Sequence, residues 1–342
     1  MTRRADPRSA RSRTKAAVLA GAALLTLVVT GCGVTAAPVN LATVSSANEP
    51  VPVGMVQGAA AVPPAGPSPA NCTNPTASLA PPNPLPSPGQ MPSGTTMAKI
   101  YARGYLIAGV DQNTYLFGYR NPENNQIEGF DIDMARDVAA AIFGDPNKIE
   151  FKAITSAQRV SALQSGEVDI VARTMTISCD RLADVAFSTV YYDAQERLLV
   201  PTSSNVTSIA QLGGKKICAA TGSDSLNHIQ DQPTHPIPVA VSDWSDCLVM
   251  LQQGQVAGVS TDDTILAGMV AQDPNTKIVG PSIADEPYGL AMPKQDKDFV
   301  SFVNGVLQEI RNDGTWAASY QTWLGNHIPG GSATPPQPSY SN

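Results

Sequence analysis

An alternation of strand-like and helix-like hydrophobic patterns between residues 105 and 324 constrains the fold more than any other feature of the chain. Short apolar runs typical of buried strands alternate with segments whose apolar residues recur every three or four positions. Strands that alternate with helices form parallel sheets covered by helices on their faces. The pattern is interrupted near Pro201 and then starts again. We therefore predict an α/β protein whose folded part has two lobes.

The pattern also predicts where the individual elements lie. The predicted strands are Tyr105–Val110, Ile149–Ala153, Val168–Ala172, Lys215–Ala220, Ile237–Val241 and Val256–Ser260. The predicted helices are Gly129–Phe143, Ser156–Gln164, Ser223–Gln230, Trp244–Gln252, Asp262–Ala271, Phe299–Arg311 and Asp313–Leu324. We expect two crossings between the lobes, near Leu199–Ser203 and near Asp285–Tyr288. Lobe 1 would then comprise residues 96–200 and 287–326, and lobe 2 residues 201–286.

The N-terminus has the pattern of an export signal. The first 15 residues hold six Lys or Arg residues and one acid, and the run Ala16–Thr30 is apolar. A basic segment followed by a short apolar one is typical of a signal peptide, and the run is shorter than the about 20 residues that span a membrane. The sequence Val29-Thr30-Gly31-Cys32 resembles a bacterial lipobox, which implies removal of residues 1–31 and lipidation of Cys32. The alternative is an uncleaved anchor helix.

Two further segments are predicted to be disordered. Residues 32–95 contain 14 prolines, a composition that favours polyproline II and does not build a core. We interpret them as a tether between the lipidated cysteine and the folded part. The Pro- and Ser-rich residues 327–342 are predicted to form a disordered tail. The net charge of −7 argues against nucleic acid as a partner, because phosphate binding requires a basic surface.

Polar side chains follow several of the predicted strands, where ligands bind in open α/β sheets. These candidates are Asp111, Thr174, Thr176, Arg181, Ser223 and Asp262. Arg181 offers the forked donors that a carboxylate prefers, and Asp262 or Asp111 can accept from an ammonium group. Such a set suits a free amino acid. Asp262 can equally cap the helix that follows it.

Several longer strings identify a family resemblance. The strings GVDQNTYLFGYRNPENNQIEGFDIDMARDVA, MTISCDRLADVAFSTVYY and YGLAM…FVNGVLQEIRNDGTWAASYQTWLG resemble the polar-amino-acid-binding proteins of ABC transporters, the extracellular solute-binding family 3. The chain is most similar to the actinobacterial glutamine/glutamate-binding lipoproteins of that family. The resemblance covers residues 97–326 and implies a two-lobed periplasmic-binding-protein fold, in which two hinge crossovers allow the lobes to close on a ligand.

The resemblance also implies roles for individual residues. Arg181 would clamp the ligand α-carboxylate, the hydroxyls of Thr174 and Thr176 would assist it, and Asp262 would accept from the α-ammonium. The family's Gly-Ser-Thr turn falls on Gly222-Ser223-Asp224, where Asp in place of Thr puts a carboxylate donor in doubt. The resemblance further places Asp111 in the first loop and Tyr115 or Phe117 over the ligand. Asp111 could instead shape only its loop, and the two aromatics could be ordinary core residues.

One motif bears on the choice of ligand. Ser156-Ala-Gln-Arg159 resembles the Ser-x-x-Arg of glutamate/aspartate-binding members, whose Arg lies 22 residues before the clamp Arg, as Arg159 does here. The resemblance implies that Arg159 meets a side-chain carboxylate, so glutamate or aspartate is the expected ligand, with asparagine or glutamine also possible. Arg159 could otherwise be a solvated helix charge.

Four cysteines remain once Cys32 is taken as lipidated, in an exported protein that permits disulfides. Cys218 ends a strand and Cys247 lies in a helix of the same predicted lobe, which suggests one bridge. Cys72 with Cys179 would then join the tether to lobe 1 beside the cleft. Three connectivities are possible in principle, and a free thiol at Cys179 is the alternative.

The leading functional hypothesis is a monomeric, membrane-anchored protein that presents an amino acid to an ABC permease and uses no cofactor. A sensor read by a membrane receptor is the second hypothesis. The third is an enzyme, because some members of this fold family are cyclohexadienyl dehydratases. That chemistry requires a general acid or base, for which Glu286, Asp224 or Glu196 are candidates. No metal site is expected, since the three histidines lack metal-ligand spacing.

Overall fold

The computed structural model describes residues 49–62, 72–328 and 331–341. The strands are β1 (Val56–Gln57), β2 (Leu106–Val110), β3 (Asn113–Thr114), β4 (Gly118–Arg120), β5 (Ile127–Glu128), β6 (Ile149–Ala153), β7 (Ile170–Ala172), β8 (Val185–Phe187), β9 (Tyr192–Pro201), β10 (Lys216–Ala220), β11 (Ile237–Val241), β12 (Gly258–Asp262), β13 (Thr276–Tyr288) and β14 (Ala291–Pro293). The helices are α1 (Thr96–Arg103), α2 (Phe130–Phe143), α3 (Arg159–Gln164), α4 (Cys179–Leu182), α5 (Ser225–Gln230), α6 (Trp244–Gln252), α7 (Asp263–Gln272), α8 (Lys297–Asp313) and α9 (Thr315–Trp323).

Two sheets divide the folded part into the two predicted lobes. Lobe 1 contains a five-stranded sheet in the order β6-β2-β7-β14-β8, and lobe 2 a six-stranded sheet in the order β1-β11-β10-β12-β9-β13. Within each sheet the strands of the βαβ units run parallel, and the strands near the crossings pair antiparallel. Each lobe has its own apolar core, and α8 and α9 return to pack on lobe 1. The α/β fold with two lobes is confirmed.

The first crossing lies earlier in the chain than the sequence predicts. We expected it near Leu199–Ser203, but Leu198, Leu199 and Val200 lie in the apolar core of lobe 2. Residues 196–199 pair with β12 of that lobe, so β9 has already entered lobe 2 at Glu196. The boundary at residue 200 was therefore wrong. The second crossing lies where expected, because β13 ends at Tyr288 and β14 belongs to lobe 1.

The described parts of the predicted tether are ordered. Leu79 and Leu85 pack against the core of lobe 1, and the hydroxyl of Ser78 donates to the carbonyl of Phe187 at 2.7 Å. Further upstream, β1 adds an antiparallel edge strand to β11 of lobe 2. The prediction of disorder throughout residues 32–95 was wrong for these segments, because scattered leucines and backbone groups in a Pro-rich chain still find partners on the lobes.

The described part of the predicted tail is ordered as well. Tyr340 forms a parallel bridge with Ser78, and the backbone N–H of Ser341 donates to the Ser78 carbonyl at 2.8 Å. Ala333 packs against the core of lobe 1. The C-terminal segment therefore pairs with the N-terminal one. Among the described residues, no helix combines the length and apolar character needed to cross a membrane.

Candidate functional site

Polar side chains from both lobes meet in a narrow cleft. Its lining residues are Ser156, Arg159, Thr174, Thr176, Arg181, Ser223, Asp224, Ser225, Trp244, Thr261, Asp262, Ile265 and Glu286. Eight of the predicted binding residues are among them. The cavity between the lobes measures about 10 Å³, which is about the room for one water molecule, so the lobes are closed upon each other.

Arg159 is a buried cation on the lobe 1 side of the cleft. It begins α3 and is 3% exposed. Four of its five N–H groups donate to backbone carbonyls: Nε to Ser156, Nη1 to Arg173 and Thr174, and Nη2 to Gly222 across the cleft at 3.0 Å. Burial and the neighbouring charges of Arg181 and Arg173 lower the pKa of Arg159. The geometry leaves one N–H for another acceptor.

Arg173, which the sequence reasoning missed as a functional residue, supports this wall of the cleft. It is fully buried, and its Nε donates to the carbonyl of Ile154 at 2.7 Å. Its Nη1 donates to the hydroxyl of Ser156, and its Nη2 lies 2.8 Å from a carboxylate oxygen of Asp111. Ser156 is thereby held in place at the cleft.

Thr174 occupies a backbone conformation that non-glycine residues rarely adopt. Its φ is 39°, in the left-handed region, and its N–H donates to Asp131 at 2.8 Å. The same carboxylate accepts from Tyr191 at 2.5 Å. Burial raises the pKa of Asp131 to about 7 even though both hydrogen bonds oppose the shift. Such strained residues persist where the surroundings over-determine them, and they cluster at binding sites.

Arg181, the predicted clamp, is already engaged by groups of both lobes. Its Nη1 donates to the carbonyl of Thr176 at 2.7 Å and lies 2.9 Å from the carboxylate of Asp224. Its Nη2 donates to the carbonyl of Gly222 at 3.3 Å. Asp224 therefore occupies the place at Arg181 that a ligand carboxylate would need.

Asp262 lies on the lobe 2 side at the end of β12, where it also precedes α7. Its side chain makes no capping bond to the helix and instead accepts from the hydroxyl of Tyr288. It is 5% exposed. Burial and the charge of Glu286 raise the pKa of Asp262 well above the usual range. An ammonium group placed here would relieve that cost, since an opposite charge favours the ionised carboxylate.

Two glycines allow the lobes to approach closely. A Cβ at Gly222, whose φ is +83°, would lie 2.7 Å from the Cα of Ala157 in lobe 1. A Cβ at Gly268 of α7 would lie 2.5 Å from the carbonyl oxygen of Tyr115. Both distances are shorter than van der Waals contact allows. Closure therefore depends on the absence of side chains at these two positions.

A second polar cluster adjoins the cleft in lobe 2. The sequence reasoning named Glu196 and Glu286 as candidate acids or bases for an enzyme, but it did not predict that they meet His228. His228 Nδ1 hydrogen-bonds Glu196 and lies 3.3 Å from Glu286, whose other oxygen accepts from Thr176 of lobe 1. Burial alone would lower the pKa of His228, but the hydrogen bond and charge of Glu196 and the charge of Glu286 raise it to about 9. Burial and Asp224 raise the pKa of Glu286 to about 7. Residues so far apart in sequence give no local signal.

Four predicted binding residues are not among the lining residues. Gly222 takes part through its carbonyl, which accepts from Arg159 and Arg181, whereas the other three lie elsewhere. Asp111 shapes its loop, because one of its oxygens accepts from the N–H groups of Gln112 and Asn113. Phe117 is fully buried and packs edge-on against Phe130, inside the core of lobe 1. Tyr115 contacts lobe 2 through its carbonyl, and its ring packs edge-on against Tyr119. The prediction that Tyr115 or Phe117 covers the ligand does not match this arrangement.

Both predicted disulfides are present. Cys72 pairs with Cys179, and Cys218 pairs with Cys247. The first joins the N-terminal segment to α4, the helix that carries Arg181. The second joins β10 to α6 within lobe 2. Cys32, the predicted site of lipidation, lies outside the described residues.

Comparisons with known proteins agree with this architecture. The sequence profile of the bacterial extracellular solute-binding proteins, family 3, matches residues 106–326. The ABC transporter glutamine-binding protein GlnH of Bacillus subtilis is 36% identical over 230 residues, which is 67% of this chain and 84% of that protein. A glutamine-binding protein of Geobacillus stearothermophilus is 38% identical over 205 residues, which is 60% of this chain and 78% of that protein. The crystal structure of a cysteine-binding protein from Campylobacter jejuni superimposes with a TM-score of 0.64 at 25% identity, covering 68% of this chain and 94% of that one.

Proposed function

Because the chain belongs to family 3 of the bacterial extracellular solute-binding proteins, we propose that it is an extracytoplasmic protein that captures a polar amino acid by lobe closure and delivers it to an ABC permease. The observation that carries the proposal is the placement of Arg181 and Asp262 in one cleft, on opposite lobes. A cation and an anion in that arrangement suit the carboxylate and the ammonium of a free amino acid. Closure then follows from contacts that the ligand makes with both lobes at once.

We further propose that the ligand is acidic, glutamate or aspartate. Arg159 lines the cleft, and its four engaged N–H groups all bond to neutral carbonyls. A buried guanidinium that lacks a direct anionic partner favours a ligand that brings one, because hydrogen bonds between ionised groups are roughly twice as strong as neutral ones. Because two relatives are glutamine-binding proteins, glutamine and asparagine are the ligands with which the acidic amino acids should be compared.

Membrane attachment is part of the proposal. Lipidation at Cys32 would hold the protein, acting as a monomer, at the outer face of the membrane where a permease can receive the ligand. Replacement of Cys32 by Ala should abolish lipidation and release the protein or leave it unprocessed. Membrane retention with normal processing of that variant would contradict the anchor.

Calorimetric titration of the full chain with glutamate, aspartate, glutamine, asparagine and lysine tests the function. Glutamate or aspartate should bind most tightly, and lysine, whose charge repels Arg159, least. Arg181→Ala should cost about 2–5 kcal/mol for every ligand, since it leaves a buried carboxylate without its partner. Arg136→Ala is the control, because Arg136 lies on α2, is not among the residues that line the cleft, and contacts the loop at Pro146 and Asn147 and the ring of Phe151.

The readout for Arg159 is a ratio of affinities, which is insensitive to a general loss of stability. Arg159→Met should weaken the binding of glutamate more than the binding of glutamine. Equal losses for both ligands would show that Arg159 does not bind the ligand side chain. Absence of heat with every amino acid in the wild-type protein would refute the function itself.

A further inference from the structure

The polar cluster that adjoins the cleft is built by three separate elements of lobe 2. Glu196 comes from β9, Glu286 from β13 and His228 from α5. The strand register pairs Ala284 with Glu196 and Glu286 with Ala194. The two glutamates are therefore diagonal neighbours on one face of the sheet, within reach of each other. His228 of α5 completes the group. One possible ligand atom from each of the three residues lies within 4.8 Å of the other two.

The hydrogen bonds within this cluster do not satisfy all of its atoms. Glu196 is fully buried and accepts from Ser260 and His228. Glu286 is 2% exposed, and its Oε2 accepts from Thr176. Its Oε1 is buried and has no hydrogen-bond donor. This oxygen faces His228 Nδ1, but the single hydrogen on Nδ1 is donated to Glu196. A buried carboxylate oxygen without a donor is costly, so the cluster has room for one more electrophilic partner.

The charges around the cluster also favour a bound cation. The β9–β12 register places Asp262 directly opposite Glu196, and Asp224 acts electrostatically on Glu286 from the start of α5. Several carboxylates are thus crowded into a buried region. Arg181 pairs with Asp224 and Arg159 acts on Asp224 and Asp262, so among the described residues His228 is the cation within ion-pair distance of Glu196 and Glu286. Carboxylates in such surroundings require a proton or a bound cation to offset their repulsion.

We propose that Glu196, His228 and Glu286 form a zinc-binding site in lobe 2. Imidazole nitrogen and carboxylate oxygen are established zinc ligands, whereas calcium and magnesium prefer all-oxygen sites. Three protein ligands leave one position for water or another small ligand. The site adjoins the amino-acid cleft, because Glu286 also lines that cleft and accepts from Thr176. Neither Arg181 nor Asp262 is among the proposed zinc ligands, so the proposal holds whichever amino acid binds there.

The geometry requires only a small expansion. Zinc bonds of about 2.0–2.2 Å in a tetrahedron place the ligand atoms roughly 3.3–3.6 Å apart. His228 Nδ1 and Glu286 Oε1 are already 3.3 Å apart. The closer contact between His228 and Glu196 would open as the metal replaces the shared proton, which leaves to solvent. Zinc affinity should therefore rise with pH.

The test is zinc binding to the full chain after treatment with EDTA and dialysis. Elemental mass spectrometry at pH 8 should show one zinc per chain, and competition with a chromophoric chelator gives the affinity. Glu196→Gln and His228→Gln should each weaken zinc binding by at least about ten-fold. His235→Gln is the matched control, because His235 is exposed on the turn before β11 and should leave zinc binding unchanged.

Cobalt substitution keeps the proposal testable if a variant fails to fold. Cobalt in the wild-type protein should show the intense visible absorption of a four-coordinate ion with nitrogen and oxygen ligands, and zinc should bleach it. Several outcomes would overturn the proposal: no zinc retained by the wild type, equal affinity in His228→Gln, loss in His235→Gln instead, or binding of calcium in preference to zinc. If a shared proton alone stabilises the cluster, the wild-type protein will retain no zinc.

Discussion

At the scale of single residues, the contact between Arg181 and Asp224 has the largest consequence for binding. The two side chains join opposite lobes at 2.9 Å and are 11% and 24% exposed. A ligand carboxylate must displace Asp224 to reach the guanidinium. Asp224→Thr should therefore raise amino-acid affinity by about ten-fold, because it removes the competitor and adds a hydroxyl donor. Titration calorimetry with glutamate measures the change.

A matched control separates this effect from a general change of charge. Asp231 follows α5, the helix that Asp224 precedes, and is exposed. Asp231→Thr should leave the affinity unchanged. A lower affinity in Asp224→Thr would mean that Asp224 binds the ligand, as an acceptor for its ammonium, and does not compete with it.

Sequence reasoning assigned to the cleft the residues that sit in contiguous motifs, and it did not assign to it those that tertiary structure brings in. Ser156, Arg159 and Arg181 belong to short strings, and all three line the cleft. Glu286 joins them only because β13 runs beside β9, a pairing between segments about 90 residues apart. Phe117 shows the opposite error, since an aromatic in a loop can turn into the core as readily as toward a ligand.

At the scale of elements, helix α7 provides a direct test of lobe closure. Gly268 lies in the interior of α7, where Ala would ordinarily stabilise a helix by about 1 kcal/mol. A methyl group there would collide with the carbonyl of Tyr115 at 2.5 Å. Gly268→Ala should fold well but close incompletely and bind its ligand more weakly. X-ray scattering should then show a larger radius of gyration with ligand than the wild type has.

The control for this prediction lies on the same helix. Gln272 is exposed at the end of α7, so Gln272→Ala changes helix propensity without approaching lobe 1. It should close and bind like the wild type. Normal closure in Gly268→Ala would show that Tyr115 can move aside and that this contact does not limit the closed state.

Local periodicity predicted most elements because their hydrophobic patterns are self-contained. The strands Ile149–Ala153 and Ile237–Val241 and the helix Trp244–Gln252 have the predicted bounds. The first crossing was misplaced for a physical reason. The buried run Leu198–Val200 would suit either sheet, and only its pairing with β12 determines which lobe it joins. Hydrophobicity indicates burial, but it does not specify a partner.

At the scale of the whole molecule, buried titratable groups predict a stability that falls as the pH rises. Burial, above all, raises the pKa of Asp131, Asp137 and Glu286 to about 7, and the glutamates raise that of His228 to about 9. The native state therefore holds more protons than the unfolded state from about pH 4 to 9, so the free energy of unfolding decreases with pH across that range. Thermal unfolding should give a lower Tm at pH 9 than at pH 5.

One of these groups can be removed with little structural change. Asp137 on α2 has a buried carboxylate oxygen without a hydrogen-bond partner. Asp137→Asn should raise Tm at pH 9 and have less effect at pH 5, where the native carboxyl is already protonated. A Tm that rises with pH in the wild type would contradict the direction given by all four groups.

The bridge between Cys72 and Cys179 also determines how a mechanical load would enter the fold. Cys179 begins α4, and Arg181 lies within the same short helix. Tension along the N-terminal chain would first peel the two residue pairs between β1 and β11, and would then act on α4. The load would thus reach the cleft itself, bypassing α1 and the core of lobe 1. If the N-terminus were held, a tensile force on the chain would act on α4, the same helix that carries Arg181. Reduction of the Cys72–Cys179 disulfide would remove that mechanical connection.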